Sequence, residues 1–259
     1  MDPIKDFAAQ VARNIRGLGA DDGLRADTLK WVERANVNGY TYNFSWLGRP
    51  IIQYPQDMVA MQELIWATKP DLVIETGIAH GGSLILSASM LAMLDYCDAI
   101  EAGELLDPAK PKRRVLGVDI DIRAHNRSAI EAHPFANRID MIQGSSIEPE
   151  TIAAVRAKAA GYKRVLVSLD SNHTHAHVLA ELEAYAPLTT PGSYCVVFDT
   201  LIEDMPAGSF PDRPWDKGDN PKTAVWEYLK THPEFESDLD FDHKLLITVA
   251  PHGFLRRKK

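Results

Sequence analysis

The sequence predicts an α/β fold: a doubly wound, mostly parallel sheet with helices on both faces, preceded by an N-terminal helical extension. One observation is a series of short apolar runs, such as 72–74 and 115–118, each followed by a helical pattern. Apolar runs without polar alternation are typical of strands buried on both faces. The second observation is the regular alternation of strand and helix, which favours parallel strands joined by right-handed crossovers.

Residues 1–54 are predicted to form a helical and aromatic cap. Apolar side chains recur at helical spacing through the first 35 residues, which indicates helices there. Aromatic residues then cluster at 40–46, where they either pack against the core or line a ligand pocket. Residues 55–259 are predicted to form one catalytic α/β core, so the whole chain, 1–259, is interpreted as a single domain.

Strands and helices follow one another through the core. Pro55 opens a helix that ends at residue 68, because proline is favoured at the first helical position. The predicted strands are 72–75, 115–119, 139–143, 164–170 and 193–198. The further predicted helices are 83–94, 125–132, 148–160, 175–185 and 221–229, the last with Asn220 as its N-cap. The tail segments 235–239, 245–250 and 253–256 are expected to be strands that close the sheet edge.

Residues 205–221 interrupt the alternation. The segment is rich in proline and glycine and contains Trp215. A loop of this length inside a compact domain is usually functional or mobile. It is therefore interpreted as a lid over a bound acceptor.

Charge and cysteine usage exclude several functions. The 259 residues carry 28 Lys and Arg against 36 Asp and Glu, a net charge of -8. An acidic chain without a basic stripe binds nucleic acid poorly, so no nucleic-acid partner is expected. Two cysteines cannot form a disulfide framework. No apolar run approaches 18 residues and no secretory pattern opens the chain, so we expect no membrane span and a cytoplasmic location.

Four of the predicted strands end in an acidic residue, at Glu75, Asp119, Asp170 and Asp199. The carboxyl ends of the strands in an open parallel sheet meet at one crevice, so these carboxylates are expected to converge there. Glu75 and Asp119 flank the first crossover, which assigns them to the ligand of the glycine-rich turn. Asp170 and Asp199 follow later strands, which assigns them to a second substrate.

A glycine-rich turn begins at Gly77. Glycine permits positive φ and a close approach of backbone to ligand. In NAD-binding units the acid that binds ribose lies about 20 residues beyond the glycines. Asp119 lies about twice as far from Gly77, which argues against that class. The spacing does not exclude NAD binding, and an NAD-linked oxidoreductase is kept as the alternative function.

Five segments together resemble the cephalosporin hydroxylase family. They are 75–83 (ETGIAHGGS), 117–119 (GVD), 143–146 (QGSS), 169–173 (LDSNH) and 197–200 (VFDT). The similarity extends from about residue 40 to the C-terminus. The family includes class I S-adenosylmethionine-dependent O-methyltransferases, among them rhamnosyl O-methyltransferases. The resemblance implies a seven-stranded Rossmann-like sheet, methyl transfer to a hydroxyl of a sugar, glycoside or small natural product, and a homo-oligomer.

The resemblance also implies the residues that bind S-adenosylmethionine. They are Glu75, Gly77, Ser83, Asp119, Ser145, Ser146 and Asp170. Glu75 and Gly77 would line the methionine end, and Ser83 would lie near its carboxylate at a helix N-terminus, which stabilises an anion. Asp119 would accept hydrogen bonds from the ribose hydroxyls, and the two serines would approach the adenine.

The implied catalytic residues are His173, Asp170 and Asp199. The two aspartates would hold Mg²⁺, while His173 would accept the proton of the hydroxyl. Phe198 stands where the family has another carboxylate, so Mg²⁺ would keep more of its waters unless Glu203 or Asp204 replaces that ligand. An alternative is a zinc site of Asp170, His173 and His177, two histidines that share a helix face. Phe198 also favours a third alternative, an S-adenosylmethionine-binding protein without activity.

Overall fold

The computed structural model describes residues 2–258. Its strands are β1 (Phe44–Trp46), β2 (Arg49–Ile51), β3 (Leu72–Thr76), β4 (Arg114–Asp119), β5 (Ile139–Gln143), β6 (Val165–Leu169), β7 (Tyr194–Val197), β8 (Phe235–Ser237) and β9 (Phe254–Arg257). Its α-helices are α1 (Pro3–Gly19), α2 (Asp22–Asn36), α3 (Pro55–Thr68), α4 (Gly82–Ala102), α5 (Ala124–Glu131), α6 (Pro149–Ala159), α7 (His175–Tyr185), α8 (Pro221–Thr231) and α9 (Leu239–Leu245).

Seven of the strands form one mixed sheet in the order β5-β4-β3-β6-β7-β9-β8. The strands from β5 to β7 are parallel, whereas β9 runs antiparallel to both of its neighbours. The predicted mostly parallel, seven-stranded fold is therefore confirmed. The strand order reverses between β3 and β6, and in such sheets ligands bind at the carboxyl ends beside that reversal.

The sheet is buried on both faces. Every residue of β3 and β6 is buried, and alternate side chains enter two separate apolar clusters. Val73 and Leu166 belong to the cluster on one face, and Ile74 and Val167 to the cluster on the other. Burial on both faces explains why these strands show no polar alternation in the sequence.

Helix α4 is longer than predicted, because it extends beyond residue 94 to Ala102. Gly103, with φ 66°, then ends it in the left-handed conformation that favours glycine. By length and composition alone α4 could cross a membrane. Of its apolar window, 56% is buried inside the protein, as in a core helix.

The tail prediction was wrong in one segment. Residues 245–250 form no strand: α9 ends there, and Leu246 has φ 59°. The backbone N–H of Val249 donates to Asp57 Oδ2 at 2.9 Å, and Thr248 Oγ1 donates to the other oxygen of that buried carboxylate. Because a helix side chain takes these donors, the segment cannot join the sheet. The short hairpin formed by β1 and β2 was not predicted from the sequence.

Candidate active site

A cleft of about 700 Å³ lies at the carboxyl ends of β3, β6 and β7. The N-terminal cap supplies one wall, including Asn36, Tyr42 and Gln53, and the segment after β7 supplies another, including Phe210. The cap and the 205–221 segment thus both line the cleft at the strand ends. The volume is typical of a small-molecule site.

The turn between β3 and α4 fits tightly against the end of β6. Gly77 has φ 86°, and a Cβ there would lie 1.9 Å from the backbone oxygen of Asp170. Only glycine fits this position. Asp119 accepts from the backbone N–H groups of Ile78 (2.8 Å) and Ala79 (3.2 Å) through Oδ2, and from Asp121 through Oδ1. In the free protein Asp119 therefore shapes the turn, and it does not line the cleft.

The N-terminus of α4 opens into the cleft. Gly81, the residue before the helix, has φ 81° and supplies no side-chain cap, and both Gly82 and Ser83 line the cleft. The free N–H groups of the first helical turn attract an anion. Ser83 Oγ donates to the carboxylate of Glu75, which lies below the cleft floor and is 3% exposed. Burial raises the pKa of Glu75 to about 7.

Asp170, His173 and Asp199 come together in the same cleft, at the ends of β6 and β7. One polar atom of each lies within 4.8 Å of the others, and His173 Nε2 is 3.2 Å from Asp199 Oδ2. Burial, followed by the charges of Asp199 and Glu75, raises the pKa of the Asp170 carboxyl well above its usual value. Gln53 Nε2 donates to Asp170 Oδ2 at 3.2 Å. The three predicted catalytic residues therefore form one group.

Phe198 has a different environment from its neighbour Asp199. Its side chain is 5% exposed and belongs to the apolar core. It also lines, with Asp170 and Gln53, a small cavity of about 20 Å³ next to the cleft. The strand end thus presents one carboxylate to the cleft and one aromatic ring to the core.

His177 lies apart from this group, beside the predicted adenine residues. Its Nε2 is 3.0 Å from Ser146 Oγ and 3.2 Å from Ser171 Oγ. The alternative of a zinc site formed by Asp170, His173 and His177 is therefore wrong in its third residue. The side chain that lies near Asp170 and His173 is Asp199. Neither Ser145 nor Ser146 lines the cleft.

Gln53, which lines the cleft, and Trp215, which contacts His173, were missed as site residues. Gln53, which contacts Asp170, follows the unpredicted hairpin, and nothing in its local sequence marks it. Trp215 lies in the predicted lid, where its ring meets the His173 ring edge-on at 4.6 Å between centroids. The sequence showed a single tryptophan in a proline-rich loop, but nothing in the sequence indicated that this side chain contacts His173.

Comparison with known proteins assigns the chain to a family. Residues 38–258 match the family described as Rhamnosyl O-methyltransferase/CmcI. The chain belongs to this family. The family assignment made from the five sequence segments is therefore confirmed.

Relatives and solved structures extend the comparison. The rhamnosyl O-methyltransferase of Mycobacterium leprae is 30% identical over 242 residues, which are 92% of each chain. That of Mycobacterium tuberculosis is 30% identical over 206 residues, 78% of this chain and 73% of the relative. A solved structure of CmcI with Mg and SAM is 18% identical and covers 84% of this chain and 78% of its own, with a TM-score of 0.54. An apo CmcI structure is 17% identical, also with a TM-score of 0.54, and covers 84% of this chain and 77% of its own. These two show likeness of fold.

Proposed function

We propose that this chain is an S-adenosylmethionine-dependent O-methyltransferase that methylates a hydroxyl of a sugar or glycoside. One observation carries the proposal: a single cleft joins the uncapped N-terminus of α4 to the group of Asp170, His173 and Asp199. Membership of the Rhamnosyl O-methyltransferase/CmcI family and the two mycobacterial relatives support it. The reversed strand β9 also departs from the all-parallel order of NAD-binding folds.

The donor side of the cleft suits S-adenosylmethionine. The first turn of α4 offers free N–H groups to a carboxylate, and Ser83 lies beside them. Gly77 brings the backbone of the turn against Asp170 and leaves no side chain in the way. Glu75 supports Ser83 from below. Asp119 holds the turn in shape and is proposed to exchange a backbone partner for the ribose hydroxyls. Ser145 and Ser146 are proposed to flank the adenine.

His173 is the proposed base. A histidine side chain in general has a pKa of about 6.5, whereas the pKa of an unactivated hydroxyl is near the value of about 15.7 for water. A gap of about nine pKa units corresponds to about 12 kcal/mol, so His173 cannot ionise the hydroxyl in advance. It takes the proton while the methyl group leaves the sulfonium sulfur for the hydroxyl oxygen. The main contribution of the cleft is then alignment of the two reactants.

The cap side of the cleft suits a sugar. Asn36 and Glu33 supply polar side chains, and the exposed Tyr42 supplies an aromatic face. Asn36 Oδ1 accepts from Tyr54 Oη at 2.9 Å, which fixes the amide. Fixed polar groups beside an aromatic ring recognise hydroxyls and the apolar face of a pyranose.

Calorimetric titration with S-adenosylhomocysteine and with NAD separates the two cofactor classes. We expect saturable binding of S-adenosylhomocysteine and none of NAD. Incubation with labelled S-adenosylmethionine and a panel of rhamnosides and other glycosides then distinguishes an enzyme from an inactive binder. Binding of NAD in place of S-adenosylhomocysteine would overturn the proposal. So would the absence of methylated product across the whole panel.

A further inference from the structure

We infer that Asp199 orients His173 instead of holding a divalent cation, and that this chain transfers the methyl group without a bound metal. The inference rests on the proposed function and concerns the acceptor side of the same cleft. It departs from the solved CmcI structure that contains Mg and SAM.

The orientation of His173 is fixed from two directions. Asp199 Oδ2 lies 3.2 Å from Nε2, and the Trp215 ring packs edge-on against the imidazole at 4.6 Å. Asp199 itself has φ 56°, a left-handed conformation that is rare for a residue with a side chain. Such conformations persist where the surrounding structure requires them, often at functional sites. The conformation turns the carboxylate from the end of β7 toward the imidazole.

The donor atoms around this pair fit Mg²⁺ poorly. Mg²⁺ requires near-octahedral oxygen ligands and binds imidazole less readily than zinc or other transition metals do. The group offers one carboxylate from Asp170, one from Asp199 and a nitrogen from His173. The Asp199 carboxylate already contacts His173, and Asp170 Oδ2 already accepts from Gln53. Both carboxyl groups therefore have a polar partner within the protein.

Phe198 removes the place where a further oxygen ligand would stand. Its ring lines the small cavity next to Asp170, and that cavity, at about 20 Å³, has room for about one water molecule. An ion that keeps several waters, as Mg²⁺ does, does not fit there. The position next to Asp170 where a further oxygen ligand would stand is therefore closed to a hydrated cation, and an ion in the cleft itself would find only the carboxylates of Asp170 and Asp199 as protein oxygens in this group.

The same contacts give His173 the arrangement of a hydrogen-bonded base. With the Nε2 proton donated to Asp199, the lone pair lies on Nδ1. During transfer the carbon–sulfur bond breaks, a carbon–oxygen bond forms, and the hydroxyl proton moves to Nδ1. Asp199 then stabilises the positive charge on the ring, as the aspartate does in an Asp–His pair.

Metal titration examines this inference separately from methyl transfer. Calorimetry with Mg²⁺ and electron paramagnetic resonance with Mn²⁺ are expected to show no saturable site in the wild-type protein at millimolar cation. Methyl transfer is expected to be unchanged by EDTA. A stoichiometric site whose removal by EDTA abolishes turnover would overturn the inference and leave the proposed methyl transfer intact. Failure to bind S-adenosylhomocysteine would remove the proposed function instead.

Two variants sharpen the result. Asp199→Asn is expected to lower kcat at least about tenfold while KM for S-adenosylmethionine stays constant, because a neutral amide stabilises the imidazolium less. The ¹⁵N shifts of His173 should move away from the Nε2–H tautomer in that variant. Unchanged ¹⁵N shifts would contradict the orienting role.

Phe198→Glu is expected to create a Mn²⁺ site that the wild type lacks, with Phe198→Leu as the matched control for loss of the ring. If the buried glutamate prevents folding, the wild-type titration and Asp199→Asn still decide the inference. Zinc or Mn²⁺ binding that disappears in His173→Gln would identify His173 as a ligand and overturn it.

Discussion

At the scale of single residues, the same side chain serves structure and chemistry at several points of the cleft. Asp119 was predicted from its position at a strand end, and the structure places it on backbone N–H groups of the turn that begins at Gly77. Asp170 was predicted as a catalytic carboxylate, and its backbone oxygen is the atom that excludes any side chain at position 77. Asp119 and Asp170, which were predicted as site residues, therefore also determine the conformation of the turn that begins at Gly77.

His173 gives the most direct prediction at this scale. His173→Gln is expected to lower kcat for methyl transfer by about 10² to 10⁴-fold, the usual contribution of a general base. Binding of S-adenosylhomocysteine should not change, because the donor side is formed by α4 and its turn. Initial rates and calorimetry measure the two quantities.

The matched control for this prediction is His125→Gln, at an exposed position on α5. This control should retain wild-type rates. Normal turnover of His173→Gln on the true acceptor would exclude His173 as the base.

At the scale of elements, the lid segment is tied to the protein by a few polar contacts. Glu203 Oε2 accepts from Gly218 N at 2.8 Å and from Asn220 Nδ2 at 2.6 Å. Asn220 caps α8, as the sequence predicted, within a capping box with Thr223. These contacts hold the loop that carries Trp215 against His173.

Glu203→Ala is expected to loosen the lid segment, because it removes both of these acceptor contacts. KM for the acceptor should rise several-fold, as is typical when a closing loop loses its anchor. Trypsin should cleave faster after Lys217, which lies within the loop and is followed by Gly218. Glu101→Ala, an exposed site on α4, is the control. Equal cleavage rates in the two variants would show that Glu203 does not anchor the loop.

A second element-scale prediction concerns the attachment of α4 to the sheet. Asp95 on α4 pairs with both Arg113 and Arg138, and all three side chains are at most 5% exposed. Asp95→Ala would remove the carboxylate partner of the buried Arg138 and leave the buried Arg113 with only Asp98, at a cost of about 3–5 kcal/mol of unfolding free energy. Urea denaturation measures this loss. Asp98→Ala, which removes the half-exposed partner of Arg113, should cost under about 1 kcal/mol.

At the scale of the whole molecule, the protein buries carboxyl groups whose negative charge is not balanced by a neighbouring cation strong enough to offset burial. Burial raises the pKa of Asp57 below the cleft to about 7. It also raises the pKa of Asp242, in α9, to about 7. Their ordinary value is 3.8. The folded protein therefore binds more protons than the unfolded chain at pH values between these limits.

The sign of the pH dependence follows from this difference. As far as these groups are concerned, the unfolding free energy should be largest below about pH 4, should fall as the pH rises from about 4 to about 7, and should level off above that. Asp57→Asn keeps an acceptor for Val249 and should flatten the fall, as measured by urea denaturation between pH 5 and 8. Asp212→Asn, in the exposed part of the lid, should follow the wild type. A steeper fall in Asp57→Asn would contradict the assignment.

Much of the fold was accessible from the sequence, because burial on both faces leaves a pattern that is local. Strands β3 to β7 and the helices between them were predicted close to their observed ends, except for the C-terminal end of α4. Residues 245–250 were not, because their apolar composition resembles a strand while Asp57, far away in sequence, takes their backbone donors. The site shows the same division. Asp170, His173 and Asp199 were predicted from strand ends and from the family resemblance.

The sequence by itself determined the order of strands and helices, the glycine turn, the acidic strand ends and the family. These depend on periodicity and on residue types at fixed spacing, which neighbouring residues impose. Only the tertiary structure decided that Gln53 and Trp215 reach Asp170 and His173, that Glu75 lies beneath Ser83, and that Asp199 faces an imidazole. Those contacts join residues from separate elements, and the packing that brings them together leaves no local pattern in the chain.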